Sequence, residues 1–328
     1  MKRFTLLALA GLLILALATG LVAQGLGTVW SRAATIAHGL VGLCFLLLVP
    51  WKSPIVSSSL RRRRKGAVWS IALAVAVVAT IASGLLQMTG TVRSIGPLTT
   101  MQIHIGAAVL AAGLGVWHYR SRPVRPRPAD LQRRNLVRVA VLTAGAGVLL
   151  AGWETMVGAT GWPGGRRRFT GSHERGSGNP AAMPVTQWFT DKVPRLDRTE
   201  VTVAGRVLGA DDFARLPHDT LEATLDCTSG WYSTQEWRGV RLDRLLGDVR
   251  GESIAVRSVT GYIRRFPADE ADRLWLAFEL GDAPLSAGHG FPARIVAPGR
   301  RGFWWVKWVD SIEVSGVPAW LQVPFPLT

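Results

Sequence analysis

The sequence TLEATLDCTSGWYS, residues 220–233, gives the clearest indication of how the C-terminal half folds. Apolar and polar residues alternate up to Cys227, which is the pattern of a half-buried β-strand. Thr228, Ser229 and Gly230 then break this pattern, so Cys227 lies at the end of a strand, where a loop can face a ligand. Its chemistry alone leaves a metal ligand, a nucleophile and an inert thiol all open.

The two halves of the 328-residue chain differ in composition. Long apolar runs rich in Ala, Leu, Val and Gly extend to about Met156, whereas charged residues, Pro and Trp are mixed throughout from about Trp162. A chain of this length accommodates roughly two domains. We predict a transmembrane helical domain at 1–160, a linker at 161–182 and a second folded domain at 183–328.

Five apolar runs are each close to the roughly 20 residues that cross a membrane. They lie at about 4–23, 34–50, 67–87, 101–119 and 136–157. Basic residues concentrate on one side, at the N-terminus and in 61–65 and 120–138, which the positive-inside rule assigns to the cytoplasm. We predict a multi-pass protein of a bacterial inner membrane with an extracytoplasmic C-terminal domain, although the basic run 166–168 opposes this orientation. The first run begins like a signal peptide but lacks an evident cleavage site.

The net charge of +16 would point to nucleic acid if it were spread over a soluble domain. Most of it lies instead in the loops between apolar runs. We therefore predict a membrane environment and no nucleic-acid partner.

The two cysteines lie in different halves of the chain and cannot form a disulfide. Cys44, within the second apolar run, fits a small apolar residue in a helix. Cys227 is expected outside the membrane, where a solitary cysteine is open to oxidation unless it is buried or bound to a metal. A ligand or nucleophile role for Cys227 therefore has to be considered.

Two separated blocks of the C-terminal half resemble the sulfite oxidase family of molybdopterin enzymes. The first is VTVAGRVLGADDFARLPHDTLEATLDCTSGWYSTQEWRGVRLDRLL, residues 201–246, and the second is GDAPLSAGHGFPARIVAPGRRGFWWVKWVDSIEV, residues 281–314. Together the resemblance covers about residues 183–315. It implies an α+β molybdopterin domain with mixed β-sheets, joined to an all-α bundle of five transmembrane helices. It also implies that the chain is a molybdenum oxidoreductase.

The resemblance assigns Cys227 as the thiolate ligand of molybdenum. Other residues at matching positions are His289, Gly290, Pro292, Arg294, Pro298, Gly302 and Lys307. Arg294 and Lys307 stand among apolar neighbours, so they either snorkel to the surface from edge strands or meet a buried anion such as the pterin phosphate. The Gly-Arg-Arg-Gly stretch 299–302 would let amides approach a phosphate, but it is equally a plain turn. The residues that we assign to cofactor binding are Ser229, His289, Arg294, Arg300, Arg301 and Lys307.

The sequence TSGW after Cys227 stands where sulfite-oxidising members typically carry Ala-Gly-Asn-Arg. The missing arginine weakens recognition of an anionic substrate, and the tryptophan is more similar to the periplasmic methionine sulfoxide reductase catalytic subunit. We therefore predict that Cys227, Trp231 and Tyr232 are catalytic in reducing a small S-oxide or N-oxide substrate. The alternatives are a sulfite-type oxidase that passes electrons outward and a redox-inactive binding protein with a degenerate cofactor domain.

Three histidines lie inside predicted spans, where an ionisable residue indicates function by default. His38 and His104 are at similar depth near the outer ends of two spans, so they either bind one b-type haem or serve as polar packing residues. His118 lies 14 residues after His104, roughly 21 Å along a helix, where the second span offers only Lys52. We predict at most one bis-histidine haem, which passes electrons between the quinone pool and molybdenum.

Arg133 and Arg134, in QRRNLVRVAVLTAGAGVL before the fifth span, resemble an internally placed twin-arginine signal. A domain that receives its molybdenum cofactor in the cytoplasm has to cross the membrane folded, which requires that route. The same pair also fits an ordinary basic cytoplasmic flank. The sequence leaves the physiological substrate and the oligomeric state open.

Overall fold

The structure is a computed structural model. It describes residues 2–61, 67–187, 191–196 and 200–324. These residues form two compact units that divide between His173 and Glu174. The division falls inside the predicted linker, 161–182, and each unit has a hydrophobic core of its own.

Long helices make up the described part of the first unit. They are α1 (Lys2–Gly25), α2 (Ser31–Arg61), α3 (Ala67–Thr89), α4 (Thr100–Ser121) and α5 (Arg133–Ala159). All five are long and apolar enough to cross a membrane. Large apolar side chains such as Ile14, Val78 and Leu149 are exposed on them, and such continuous apolar surface is stable in lipid rather than in water. The predicted set of five apolar helices is confirmed.

The helices of this unit pack against one another in pairs. α1 packs on α2, α3 packs on α4, and α5 packs on α2. A two-stranded turn, β1 (Ser94–Ile95) and β2 (Leu98–Thr99), joins α3 to α4. Thr99 then starts α4 with a capping box: its hydroxyl oxygen accepts the Gln102 N–H at 3.1 Å, while its own N–H donates to Gln102 Oε1 at 2.8 Å. The cap fixes where α4 begins and therefore the position of His104 along the helix.

The second unit is built from two β-sheets. Its strands are β4 (Val201–Val203), β5 (Arg206–Leu208), β6 (Asp219–Cys227), β7 (Trp231–Arg241), β8 (Ser253–Ser258), β9 (Ile263–Pro267), β10 (Trp275–Leu280), β11 (Ala283–Pro284), β12 (Arg294–Val296) and β13 (Val309–Ser315). Two short helices, α6 (Ala210–Arg215) and α7 (Leu242–Leu246), connect them. A two-residue strand, β3 (His173–Glu174), lies at the division between the units.

The pairing of these strands explains how the two sequence blocks meet. β6 and β7 form an antiparallel hairpin, β7 pairs with β10, and β10 pairs with β11 and β12. The other sheet has the order β5-β4-β13-β8-β9 and is mixed, because β4 runs parallel to β13. Side chains in the core include Trp237, Ile254, Leu276, Ile295 and Ile312. The predicted α+β fold with mixed β-sheets is confirmed.

Candidate active site

Cys227 ends strand β6 at a tight turn. It forms the last pair of the hairpin with Trp231, and its carbonyl accepts the Gly230 N–H at 3.1 Å. Gly230 has a φ of 92°, a conformation that glycine adopts without strain. The thiol is partly buried, and its Sγ lies 3.1 Å from Ser229 Oγ. The turn thus holds the thiol at a defined position instead of leaving it on a mobile loop.

A cavity of about 50 Å³ lies beside this thiol. Three parts of the chain make its wall: the segment before β4, the turn of the β6–β7 hairpin, and the stretch 288–307. The predicted site residues that line it are Cys227, Trp231, His289, Arg294 and Lys307. The fold therefore brings the two sequence blocks together around the cysteine.

Arg294 contributes a fully buried charge to this wall, with 3% of its surface exposed. Nη1 donates to the His289 carbonyl at 3.0 Å, and the guanidinium lies over the Trp237 ring at 4.9 Å. Among the described residues Nε has no hydrogen-bond partner and no carboxylate forms a salt bridge with this side chain. Burial lowers the pKa of Arg294 to about 9. A buried cation of this kind is costly unless an anion meets it, and the expected alternative of a snorkelling side chain does not apply.

Lys307 is the second cation of the pocket. Its Nζ donates to the carbonyls of Thr186 at 3.0 Å and Gly288 at 3.1 Å, and it lies 4.5 Å from the centre of the Trp308 ring. Burial, together with the positive charge of Arg294, lowers the pKa of Lys307 to about 7. No salt bridge to Lys307 is found in the part of the chain that the structure describes. Two cations thus converge on one pocket, where their direct contacts are carbonyl oxygens and ring faces, and Asp191 acts on Lys307 through its charge without a salt bridge.

Two glycines allow the chain to pack closely around these groups. A Cβ on Gly302 would lie 3.1 Å from the Cys227 Cα. Gly290 has a φ of 115°, and a Cβ there would lie 3.1 Å from the Arg294 Cβ. A soft thiolate beside two buried cations fits a polyanionic cofactor that carries a soft or high-valent metal. Within the described residues no cluster of three or more His, Cys, Asp or Glu side chains offers a different metal site.

Trp231 and His289 complete the predicted part of the wall. Trp231 is buried, and its Nε1 donates to Thr186 Oγ1 at 3.1 Å. His289 Nε2 donates to the Met183 carbonyl at 3.1 Å, and its Nδ1 lies 2.9 Å from Ser286 Oγ. Burial lowers the pKa of His289, which favours the neutral imidazole. The pocket therefore offers one apolar ring and one neutral imidazole beside its two cations.

Four predicted site residues lie outside the lining of this cavity: Ser229 and Arg301, and also Tyr232 and Arg300. Tyr232 follows Trp231 in β7, and successive side chains of a strand point to opposite faces. Arg300 forms a salt bridge with Glu270 and lies 4.4 Å from the centre of the Trp304 ring. Neither Tyr232 nor Arg300 is among those that line the cavity, and their assigned roles stay predictions.

In the first unit, the His38 and His104 rings lie close together in an edge-to-face arrangement. Their centroids are 5.8 Å apart and their planes are nearly perpendicular, at 85°. His38 Nδ1 lies 3.1 Å from the Ala16 carbonyl, and His104 Nδ1 lies 2.8 Å from the Thr80 carbonyl. Because a carbonyl only accepts, each Nδ1 is the donor, and each neutral ring keeps its lone pair on Nε2.

The surroundings of the two rings repeat. A Cβ on Gly20 would lie 3.0 Å from His38 Cε1, and a Cβ on Gly84 would lie 3.1 Å from His104 Cε1. Each glycine is four residues after the carbonyl that its histidine contacts. The α1–α2 and α3–α4 pairs thus present their histidines in the same way. His118 differs, since its Nδ1 lies 3.5 Å from Ser70 Oγ.

Comparison with known proteins agrees with the geometry of the second unit. Residues 191–320 match the oxidoreductase molybdopterin binding domain family. The second unit carries a molybdopterin-binding oxidoreductase domain of the sulfite oxidase type. Mitochondrial sulfite oxidase of Homo sapiens is 26% identical over 143 residues, which cover 33% of this chain and 26% of that protein.

Two further similarities have a smaller extent. Sulfite oxidase of Arabidopsis thaliana is 53% identical over 45 residues, covering 14% of this chain and 11% of that one. The solved structure of the sulfane dehydrogenase SoxCD from Paracoccus pantotrophus aligns with 25% identity and a TM-score of 0.36, over 38% of this chain and 40% of that chain. The chain spans about a quarter or less of the length of the sulfite oxidases that it matches.

Sequence reasoning missed several residues of the molybdopterin-binding domain. Trp305 lines the pocket within the quoted second block, and Thr186 lines it from the segment before β4. Thr186 carries no signal in the sequence. Asp226 could have been recognised from the sequence, because it is a charged residue next to the cysteine in a strand that is largely buried at that end. In the structure it pairs with Arg301.

Proposed function

We propose that the chain is a membrane-anchored molybdenum oxidoreductase that reduces a small S-oxide or N-oxide substrate with electrons from quinol. One observation carries the proposal: the Cys227 thiol shares its pocket with the buried Arg294 and the half-buried Lys307, and neither cation forms a salt bridge with a carboxylate among the described residues. Cys227 would bind molybdenum, and the two cations would hold the anionic groups of molybdopterin. The cofactor, when bound, supplies two-electron oxygen-atom transfer.

The pocket favours a neutral substrate. Reduction of an S-oxide consumes two electrons and two protons and yields the sulfide and water. Within the described lining of the cavity, the charged side chains are Arg294 and Lys307, which the cofactor would engage. The remaining side chains near Cys227 include the Trp231 ring and the Ser229 hydroxyl, which suit an uncharged, partly apolar molecule.

Sulfite oxidation is the second candidate, because the matched relatives are named sulfite oxidases. It requires recognition of an anion and delivery of electrons outward. The TSGW sequence after Cys227 supplies no arginine for that anion, which is why reduction is preferred. A side-by-side assay with dimethyl sulfoxide, trimethylamine N-oxide and sulfite separates the two directions.

We further propose that His38 and His104 bind one b-type haem. An imidazole nitrogen binds a first-row metal at about 2 Å, so two rings that share one ion have centroids roughly 6 Å apart. The observed separation is 5.8 Å. Donation from Nδ1 to a backbone carbonyl, which both rings make, is the usual outer contact of a metal-binding histidine. Gly20 and Gly84 have no side chain, so each histidine ring can lie close against the neighbouring helix.

The helical unit would then feed electrons to molybdenum. A quinol gives up two electrons and two protons, which matches the demand of S-oxide reduction. The basic segments at the N-terminus and in 120–138 support a cytoplasmic side for those loops and an extracytoplasmic second unit in a bacterial inner membrane.

The function is tested by purifying the protein in detergent, measuring molybdenum by mass spectrometry, and following two reactions: oxidation of a reduced viologen by each sulfoxide or N-oxide, and reduction of ferricyanide by sulfite. We expect bound molybdenum and turnover with a sulfoxide or N-oxide, and none with sulfite as donor. Turnover with sulfite alone would establish the oxidase instead. Protein without molybdenum, made in cells that synthesise the cofactor, would support the redox-inactive binding protein.

A further inference from the structure

A buried ion pair lies directly behind the candidate ligand thiol. Arg301 and Asp226 have 1% and 3% of their surfaces exposed, and Arg301 Nη1 lies 2.5 Å from Asp226 Oδ1. Charges so far from water are costly unless they are paired closely, and removal of one partner leaves the other uncompensated. Because this guanidinium already has a carboxylate partner, it differs from Arg294.

The same guanidinium also contacts the backbone of Cys227. Arg301 Nη2 donates to the Cys227 carbonyl at 3.3 Å, and the backbones of Asp226 and Arg301 form an isolated parallel β-bridge. The next residue, Gly302, approaches so closely that a Cβ there would lie 3.1 Å from the Cys227 Cα. Residues 301–302 therefore hold residues 226–227 at three points.

The chain that follows Arg301 supplies the opposite part of the pocket wall. It forms a short 3-10 helix, Gly302–Trp304, and continues through Trp305 to Lys307, both of which line the cavity. The ion pair thus ties the strand that carries the thiol to the segment that carries a cofactor-facing cation. Without the ion pair, Cys227 would be held by the pairing of β6 with β7 and by the turn at Gly230.

We propose that Asp226 and Arg301 are a positioning pair, which fixes the direction of the Cys227 thiolate relative to Lys307 and to a bound metal. This inference rests on the proposed role of Cys227 as the molybdenum ligand. In this proposal Arg301 contacts Cys227 and not the cofactor. Its role is therefore to orient the metal ligand, in place of the cofactor binding predicted from the sequence.

An arginine away from the pocket provides the control. Arg241, at the end of β7, forms a salt bridge with Asp243 through two hydrogen bonds, at 2.9 Å and 2.6 Å. It does not line the cavity, and among the described hydrogen bonds it makes none to the Cys227 backbone. A change at position 241 therefore tests the loss of an arginine–carboxylate pair without disturbing the thiol.

The experiment compares Arg301→Lys with Arg241→Lys in the holoenzyme. Lysine keeps the charge opposite Asp226 but lacks the planar fork that reaches the Cys227 carbonyl at the same time. We measure molybdenum and pterin content, the thermal midpoint, and the electron paramagnetic resonance spectrum of Mo(V), whose cysteine proton couplings report the orientation of the thiolate. Turnover is measured with dimethyl sulfoxide.

We expect Arg301→Lys to fold and to retain pterin, with altered cysteine proton couplings and turnover lowered about tenfold or more, as for other residues that orient metal ligands. Arg241→Lys should match the wild type in all four measurements. Unchanged couplings and turnover in Arg301→Lys overturn the positioning role. Wild-type protein without molybdenum overturns the proposed function itself, so the two failures are distinguishable.

A second variant covers the case in which Arg301→Lys does not fold. The double change Asp226→Leu with Arg301→Met removes both buried charges, and such apolar replacements of buried pairs are often tolerated. We expect a folded protein with the same altered couplings. A folded double variant with the wild-type spectrum would show that the pair serves packing alone.

Discussion

Lys307 and Arg294 line the same pocket, and burial together with the Arg294 charge lowers the pKa of Lys307 to about 7. Carbonyl oxygens and aromatic faces surround both charges, with no salt bridge to either among the described residues. The pocket is therefore suited to an anion. The polypeptide by itself bears the cost of holding two like charges close together away from water.

This cost predicts how the stability of cofactor-free protein depends on pH. An unfolded lysine titrates near 10.5, so above pH 7 the unfolded chain binds a proton that folded Lys307 has released. Stability should therefore rise as pH increases from 7 to 9, and Arg294, with its pKa of about 9, adds to the rise only above that window. Thermal unfolding of protein from cells that cannot make molybdopterin should show this slope, and Lys307→Met should remove it. Equal slopes in both proteins would contradict the assignment.

Arg294→Met should affect stability and cofactor binding in opposite directions. Removing an unpaired buried charge should stabilise the cofactor-free protein, by about 1 kcal/mol or more. The same change removes a partner of the cofactor's anionic groups, so the pterin content of purified protein should fall roughly tenfold. Arg241→Met, which removes an arginine that pairs with Asp243 and does not line the pocket, is the control and should keep its pterin. Full pterin content in Arg294→Met would show that Arg294 does not contact the cofactor.

Replacing Arg133 and Arg134 with lysine should leave the second unit in the cytoplasm while the earlier helices still insert. Both side chains are exposed at the start of α5, where an export machinery can read them. Lysine keeps the positive charge that the positive-inside rule uses, so the variant separates a twin-arginine signal from a basic flank. Protease digestion of spheroplasts reports the location. A second unit that stays accessible from outside would leave the pair as a topology anchor only.

The histidine pair predicts a single haem. The purified protein should show a reducible b-type absorption spectrum, because His38 and His104 are spaced for one iron. Either His38→Ala or His104→Ala should abolish most of that spectrum, whereas His118→Ala, whose ring lies near Ser70, should retain it. A colourless wild-type protein with full molybdenum content would leave the helices as an anchor and require another electron carrier.

Much of the fold follows from local sequence patterns. Five apolar runs predict five helices because backbone groups in lipid have to be satisfied within each segment. The C-terminal end of α2 is less predictable. The second apolar run ends at residue 50, whereas the helix continues through Pro50 and Pro54 to Arg61. Proline in a helix removes a hydrogen bond and introduces a kink without always ending the helix, so sequence alone set this limit too early.

The candidate site was only partly predictable. Alternation up to Cys227 and cations among apolar neighbours indicated Cys227, Arg294 and Lys307, because both patterns are local. Arg300 and Arg301 could not be told apart, since their partners, Glu270 and Asp226, are distant in sequence and are fixed by the packing of the sheets. The facing of His38 and His104 depends in the same way on how α1–α2 and α3–α4 pack.

The central claim is that Cys227 binds molybdenum, and the most direct measurement is X-ray absorption at the molybdenum edge of wild-type protein and of Cys227→Ser. We expect the wild type to contain molybdenum with a thiolate from the protein in addition to the sulfur atoms of the pterin. Cys227→Ser should remain folded in the membrane, with one sulfur ligand fewer and no molybdenum-dependent turnover. An identical metal environment in the two proteins, or wild-type turnover in Cys227→Ser, would contradict the assignment.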